Sequence, residues 1–221
     1  MDDRAKLSFL EQALSQTLKP IRGIPFTVIV RALAEKSVIA FDKANAKDQN
    51  LLRQLNEAIR LCAEELEDRP IRRPRPNEVG NDVEPYVMRA LKRAGLNAVR
   101  PTSAGGTGKS TGYPDILVYD AEDRPTYLEC KVFAHGKPDT TMRSFYLSPS
   151  ESFKVSLDAR HLLLAFGMVR TAIGGSDDGE FRPRSYKLVD LADLLCDVKY
   201  EFNSDNRRLY GPSMILSDGL L

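Results

Sequence analysis

Two apolar runs constrain this chain more than any other feature. DILVYD (Asp115–Asp120) and TYLECKVF (Thr126–Phe133) are separated only by AEDRP. Runs of this length and β-rich composition, joined by a short polar turn, predict a β-hairpin. Side chains two apart in a strand share a face, so Glu129 and Lys131 point one way and Leu128, Cys130 and Val132 the other, into a core. A hairpin symmetric about Glu122 sets Asp115 directly across from Glu129. Asp115, Glu129 and Lys131 then meet on one side of a sheet.

Opposed carboxylates repel across a ladder. A divalent cation between them turns the repulsion into binding, and hard oxygen ligands of this kind suit Mg2+. Lys131 adds a positive charge beside the pair, where it would stabilise a pentavalent phosphate or assist deprotonation of a water. The preceding segment, SAGGTGKSTGYPD (Ser103–Asp115), superficially suggests a nucleotide phosphate loop. That motif needs a glycine where Ser103 stands and a helix starting at its lysine. Gly112 and Pro114 oppose such a helix. A Gly-rich segment carrying Ser103, Lys109 and Ser110 into the acidic strand suits contact with a polynucleotide backbone instead.

The flanking sequence predicts a mixed α/β (α+β) domain. Leucines at helical spacing in RAKLSFLEQALSQTL, the apolar FTVIVRALAEKSVIAF and the amphipathic DQNLLRQLNEAIRLCAEELED predict a helical N-terminal region over 1–68, serving dimerisation or a DNA clamp. DRPIRRPRPN reads as a stiff linker or a basic strap for phosphates. The remainder, 69–221, reads as the core domain. Val83, Val87, Leu91 and Ala94 form a helical stripe ending at Gly95. Pro85 belongs in a first helical turn, which starts that helix near Asn81 or Asp82 and puts Glu84 in the same turn. Further expectations are a short strand at NAVRPT, a helix around SPSESFKVSLDA, a buried strand at HLLLAFGMV, and strand, short helix and strand through SYKLVDLADLL and DVKYEFN. The three cysteines are far apart and form no CxxC pair, which predicts a reducing, cytoplasmic setting and no structural zinc. No apolar run is long enough to span a membrane. A net charge of +1 neither requires nor excludes nucleic acid.

Pro114-Asp115, thirteen intervening residues and then Glu129-Cys130-Lys131 resemble the signature of the PD-(D/E)XK nucleases. Glu84, on the preceding helix, matches their additional acidic position, with Glu78 as the alternative. The resemblance covers about fifty residues. It implies a restriction-endonuclease-like fold, a mixed central β-sheet flanked by helices, and Mg2+-dependent phosphodiester hydrolysis. By position, Asp115, Glu129 and the Cys130 backbone carbonyl would hold metal, Lys131 would assist the attacking water or the transition state, and Glu84 would support a ligand or second metal.

Three functions compete. A type II restriction endonuclease, a homodimer on a short double-stranded DNA site, fits the length and the near-neutral charge. A structure-specific or repair nuclease of the Holliday-junction resolvase kind tends to be smaller and more basic. A non-catalytic DNA-binding module would not need an intact Asp-Glu-Lys set. Arg143, Ser144 and Lys154 are further DNA-contact candidates, Arg143 for a guanine or a phosphate. His135 and His161 read as structural.

Overall fold

The computed structural model describes residues 3–19, 21–75, 78–103, 112–136, 145–149, 153–175 and 177–199. The chain divides into two compact units, 1–24 with 195–221 and 25–194. The first contains helix α1 (Asp3–Thr17) and strand β8 (Leu195–Cys196), and β1 (Ile24–Pro25) falls where the chain passes into the second. Everything that follows belongs to the second unit.

Its centre is a six-stranded mixed sheet in the order β2 (Ile71–Arg73), β7 (Gly179–Asp190), β6 (Arg160–Ala172), β5 (Pro125–Ala134), β4 (Ile116–Tyr119), β3 (Asn97–Val99). All neighbours are antiparallel except β5 and β6. The β4–β5 register, Ile116 opposite Leu128 and Leu117 opposite Tyr127, is the one expected from symmetry about Glu122. The turn closes through Asp120, whose Oδ1 accepts from the Glu122 and Arg124 amides, both at 3.0 Å. A short polar side chain that hydrogen-bonds its own downstream backbone is what makes Asp a turn residue.

One face of the sheet is covered by α3 (Ala46–Asp68) and α4 (Val79–Arg93). The stripe Leu51, Leu55, Ile59, Cys62 and Leu66 of α3 packs with Val83, Val87 and Leu91 of α4 on Ile116, Val118, Leu128 and Cys130. Composition assigns α3 to an N-terminal helical region, yet it shares this core with the sheet. Asn45 caps α3 by accepting from the Lys47 amide at 2.9 Å, one of the donors a helix start leaves unpaired. Gly95, at φ +84°, ends α4: its amide donates to Lys92 O and that of Leu96 to Leu91 O. That pair of bonds is the Schellman ending, which favours glycine. The other face carries Leu117 and Tyr127, packed with Tyr113 against Phe26 and Val30 of α2 (Phe26–Ala34).

Four expectations are corrected. Helix α4 starts at Val79, so Pro85 and Glu84 lie beyond its first turn. Among the described residues of SPSESFKVSLDA there is no helix; 153–158 run as irregular chain, because Phe153 and Val155 are buried in the aromatic core. No short helix forms in DLADLL: the chain turns after β7, with Leu194 N donating to Leu191 O at 3.0 Å. The basic stretch after α3 is an edge strand, with Arg72 paired to Glu180 and Arg73 to Asp82. Those two arginines are already neutralised and do not form a phosphate strap.

Candidate active site at the open end of the hairpin

At the end of the hairpin away from its turn, Asp115 immediately precedes β4 and Glu129 lies in β5. Asp115 Oδ2 accepts from the Cys130 amide at 2.8 Å. Glu129 is 4% exposed; its Oε1 accepts from Lys131 Nζ. Its other oxygen, Oε2, is buried and has no hydrogen-bond partner. Burial first, and the Asp115 charge second, push the Glu129 carboxyl up to about 7. Burial pulls on the Lys131 ammonium too, but Glu129 and Asp115 outweigh it and hold Lys131 above its ordinary value. Cys130 points into the opposite core, where burial raises its thiol; it is no nucleophile.

Helix α4 brings half-buried Glu84 within electrostatic reach of Asp115, Lys131 and Lys154; burial and then Asp115 raise its carboxyl. Glu78, at the helix cap, acts on Arg73 instead. Of the two acidic candidates on this helix, Glu84 is therefore the one near the hairpin. Among the described residues no three His, Cys, Asp or Glu side chains form a ready-made metal group.

The remaining candidates divide. Ser103 is buried, at 3% exposure. Lys154, expected on a helix and open to phosphate, instead is 5% exposed in an irregular segment. Its Nζ donates to Gly112 O at 2.7 Å and Pro114 O at 3.2 Å. Burial lowers its ammonium. Lys109, Ser110, Arg143 and Ser144 lie outside the described residues. His161 is fully buried; Tyr113 Oη and its Nδ1 share a hydrogen bond of 2.6 Å, and burial lowers the imidazole to about 4. His135 bonds Ser185 Oγ at 3.0 Å. His161 thus lies in the aromatic core, and His135 is exposed just after β5. Sequence reading missed Arg100. It is exposed just after β3, and its charge reaches Glu84 and Lys154. Its signal was its place, directly before the Gly-rich segment.

The chain belongs to the Type II restriction enzyme MjaV family, whose sequence model matches residues 20–213. That span includes every residue of the site, and it makes the chain a type II site-specific deoxyribonuclease rather than a repair nuclease or a non-catalytic module. A curated relative, the Type II restriction enzyme MjaV of Methanocaldococcus jannaschii, is 33% identical over 231 residues, covering 98% of this chain and 97% of that protein. No solved structure matches. No helix among the described residues is long and apolar enough to cross a membrane.

Proposed function

We propose that this restriction enzyme hydrolyses DNA with a PD-(D/E)XK-type site, Mg2+-dependent, in which Asp115, Glu129 and the Cys130 carbonyl hold the metal. The observation that carries this reading is the buried, unpartnered Oε2 of Glu129 beside a second carboxylate. Buried polar atoms are almost always paired, and an orphan of negative character facing another carboxylate fits a cation. Mg2+ is commonly held by one or two carboxylates plus water and phosphate oxygens, so two acidic side chains and no third are adequate. A strand residue sends its N–H and C=O to the same edge. The Cys130 amide faces Asp115, and its carbonyl therefore faces the same site.

When bound, a divalent cation supplies Lewis acidity toward the scissile phosphate and lowers the pKa of a coordinated water. The protein's own groups do the rest. Asp115 is fixed by the Cys130 amide and is held in one orientation before DNA arrives. Lys131 keeps its proton at neutral pH, so its part is electrostatic: it stabilises negative charge as it builds on the phosphate. Glu84, close enough to feel Asp115 but outside the pair, orients water or a second cation. The substrate of this reading is a short specific site in double-stranded DNA, and a homodimer would match the symmetry of such a site.

The test is a digest of phage DNA and supercoiled plasmid in Mg2+ and in EDTA. Discrete bands that vanish in EDTA are expected. Undiminished cutting in EDTA would sink the metal assignment, and a smear would sink site specificity.

A further inference from the structure

Asp115 works only if the chain delivers it to one place, yet the residues before it, Gly112 to Pro114, form neither helix nor strand. They are held from two sides. Tyr113 anchors one side. Its hydroxyl is hydrogen-bonded to His161 Nδ1, and its ring meets Phe26 and Phe145 edge-on at 5.8 and 5.4 Å. Lys154 anchors the other, with its ammonium on the carbonyls of Gly112 and Pro114, the residues flanking Tyr113.

A lysine is a costly choice for that duty, because a buried ammonium gives up its hydration. Its two direct partners are neutral carbonyls. Asp115, Glu129 and Glu84 offset part of that cost, but burial prevails and lowers its ammonium. Burial at 5% exposure leaves little of it for a DNA phosphate to touch. We propose that Lys154 is the positioning residue for Asp115: it fastens the Gly112–Pro114 turn by two hydrogen bonds. The proposal rests on the reading of Asp115 as a site residue and goes beyond it.

Lys154→Met removes both the charge and the donors; Lys154→Gln removes the charge but keeps an NH2 group that can reach carbonyls. The first readout needs no turnover. The Cys130 amide is bonded to Asp115 Oδ2, so its hydrogen exchange in EDTA reports whether Asp115 is held. Lys154→Met is expected to speed that exchange by about tenfold or more while the rest of β5 is unchanged, and Lys154→Gln to restore most of it. On the mapped cognate duplex with Mg2+, Lys154→Met is expected to lower kcat on the order of 10²-fold, as a misplaced group does, with KM within about twofold. Parent-like exchange at Cys130 in Lys154→Met overturns the proposal. So does a raised KM at unchanged kcat, which would mark a substrate contact. If Lys154→Met does not fold, Lys154→Ala decides by the same readout: faster Cys130 exchange with a lowered kcat in the folded variant supports positioning, and parent-like exchange overturns it. Parent-rate cutting by Asp115→Asn would instead strike the proposed site, and the exchange result would stand apart from it.

Discussion

The two ends of the β4–β5 hairpin hold buried carboxylates in opposite electrical circumstances. At the turn end, Asp120 accepts from the Arg124 guanidinium at 2.7 Å, and Asp48 of α3 receives Arg124 at 2.7 Å and Arg160 at 2.7 and 3.1 Å. Burial alone would raise both carboxyls. The Asp42 amide and the two arginines outweigh it at Asp48, and the Arg124 amide and guanidinium do so at Asp120, so both end below the ordinary range. At the open end, Glu129 has one lysine, a carboxylate neighbour and an unpaired oxygen, and its carboxyl is raised. The same two strands thus carry a closed electrostatic account and an open one. The closed one builds the fold. The open one is where the proposed cation would bind.

The largest effect expected from this contrast is on cutting. Glu129→Gln keeps the shape but removes the charge, and should lower cleavage at least on the order of 10³-fold with the fold intact, as should Asp115→Asn. Gel cleavage paired with thermal melts checks both; parent-rate cutting by either breaks the comparison. Next is Asp48→Ala, which strands Arg160, itself 7% exposed. Losing one partner of a buried pair costs about 3–5 kcal/mol, and urea melts should show that loss with cleavage per folded molecule retained.

Stability in EDTA should respond to pH in opposite senses at the two ends. Glu129 is raised from 4.5 to about 7, so its contribution is complete below pH 4.5 and is lost as pH rises through about 7. Asp48 and Asp120 are lowered from 3.8, so theirs is complete above pH 3.8 and is lost as pH falls below it. Glu129→Gln should flatten the neutral limb of the melting profile and leave the acid limb untouched. A neutral limb that persists in this variant belongs to another group. The smallest effect is at Glu122, whose exposed pair with Lys47 lies at the turn end. Glu122→Gln should change stability by no more than about 1 kcal/mol, because exposed pairs are screened and mobile.

The open end was legible in sequence because it is local. A turn at Glu122 and a period of two give both the opposition of Asp115 to Glu129 and the shared face of Glu129 and Lys131, and the register agrees. The preference for Glu84 over Glu78 rests on the family resemblance, and Pro85, which places the expected helix start too late, leaves that choice open in the sequence. The closed end was not legible. Asp48 and Arg160 stand 112 residues apart, and nothing local marks either as the other's partner. The setting of Lys154 is not legible either. A helix pattern in its segment suggested an exposed cation, but Phe153 and Val155 sink into the aromatic core and take Lys154 inward with them.

That difference in sequence distance bears on the order of folding. The hairpin closes through a turn of a few residues and forfeits little chain entropy, whereas the Asp48–Arg160 pair must close a loop spanning half the chain. The hypothesis is that the hairpin belongs to the folding nucleus and the arginine clamp to the final descent. Substitutions at Leu117 and Thr126 should then slow refolding, while Asp48→Ala should act on the unfolding rate; a slowed refolding arm for Asp48→Ala would reverse the order. On this timetable a newly made chain holds the groups proposed to cut together early, as an unclamped ribbon, and acquires rigidity only when Asp48 and Arg160 meet.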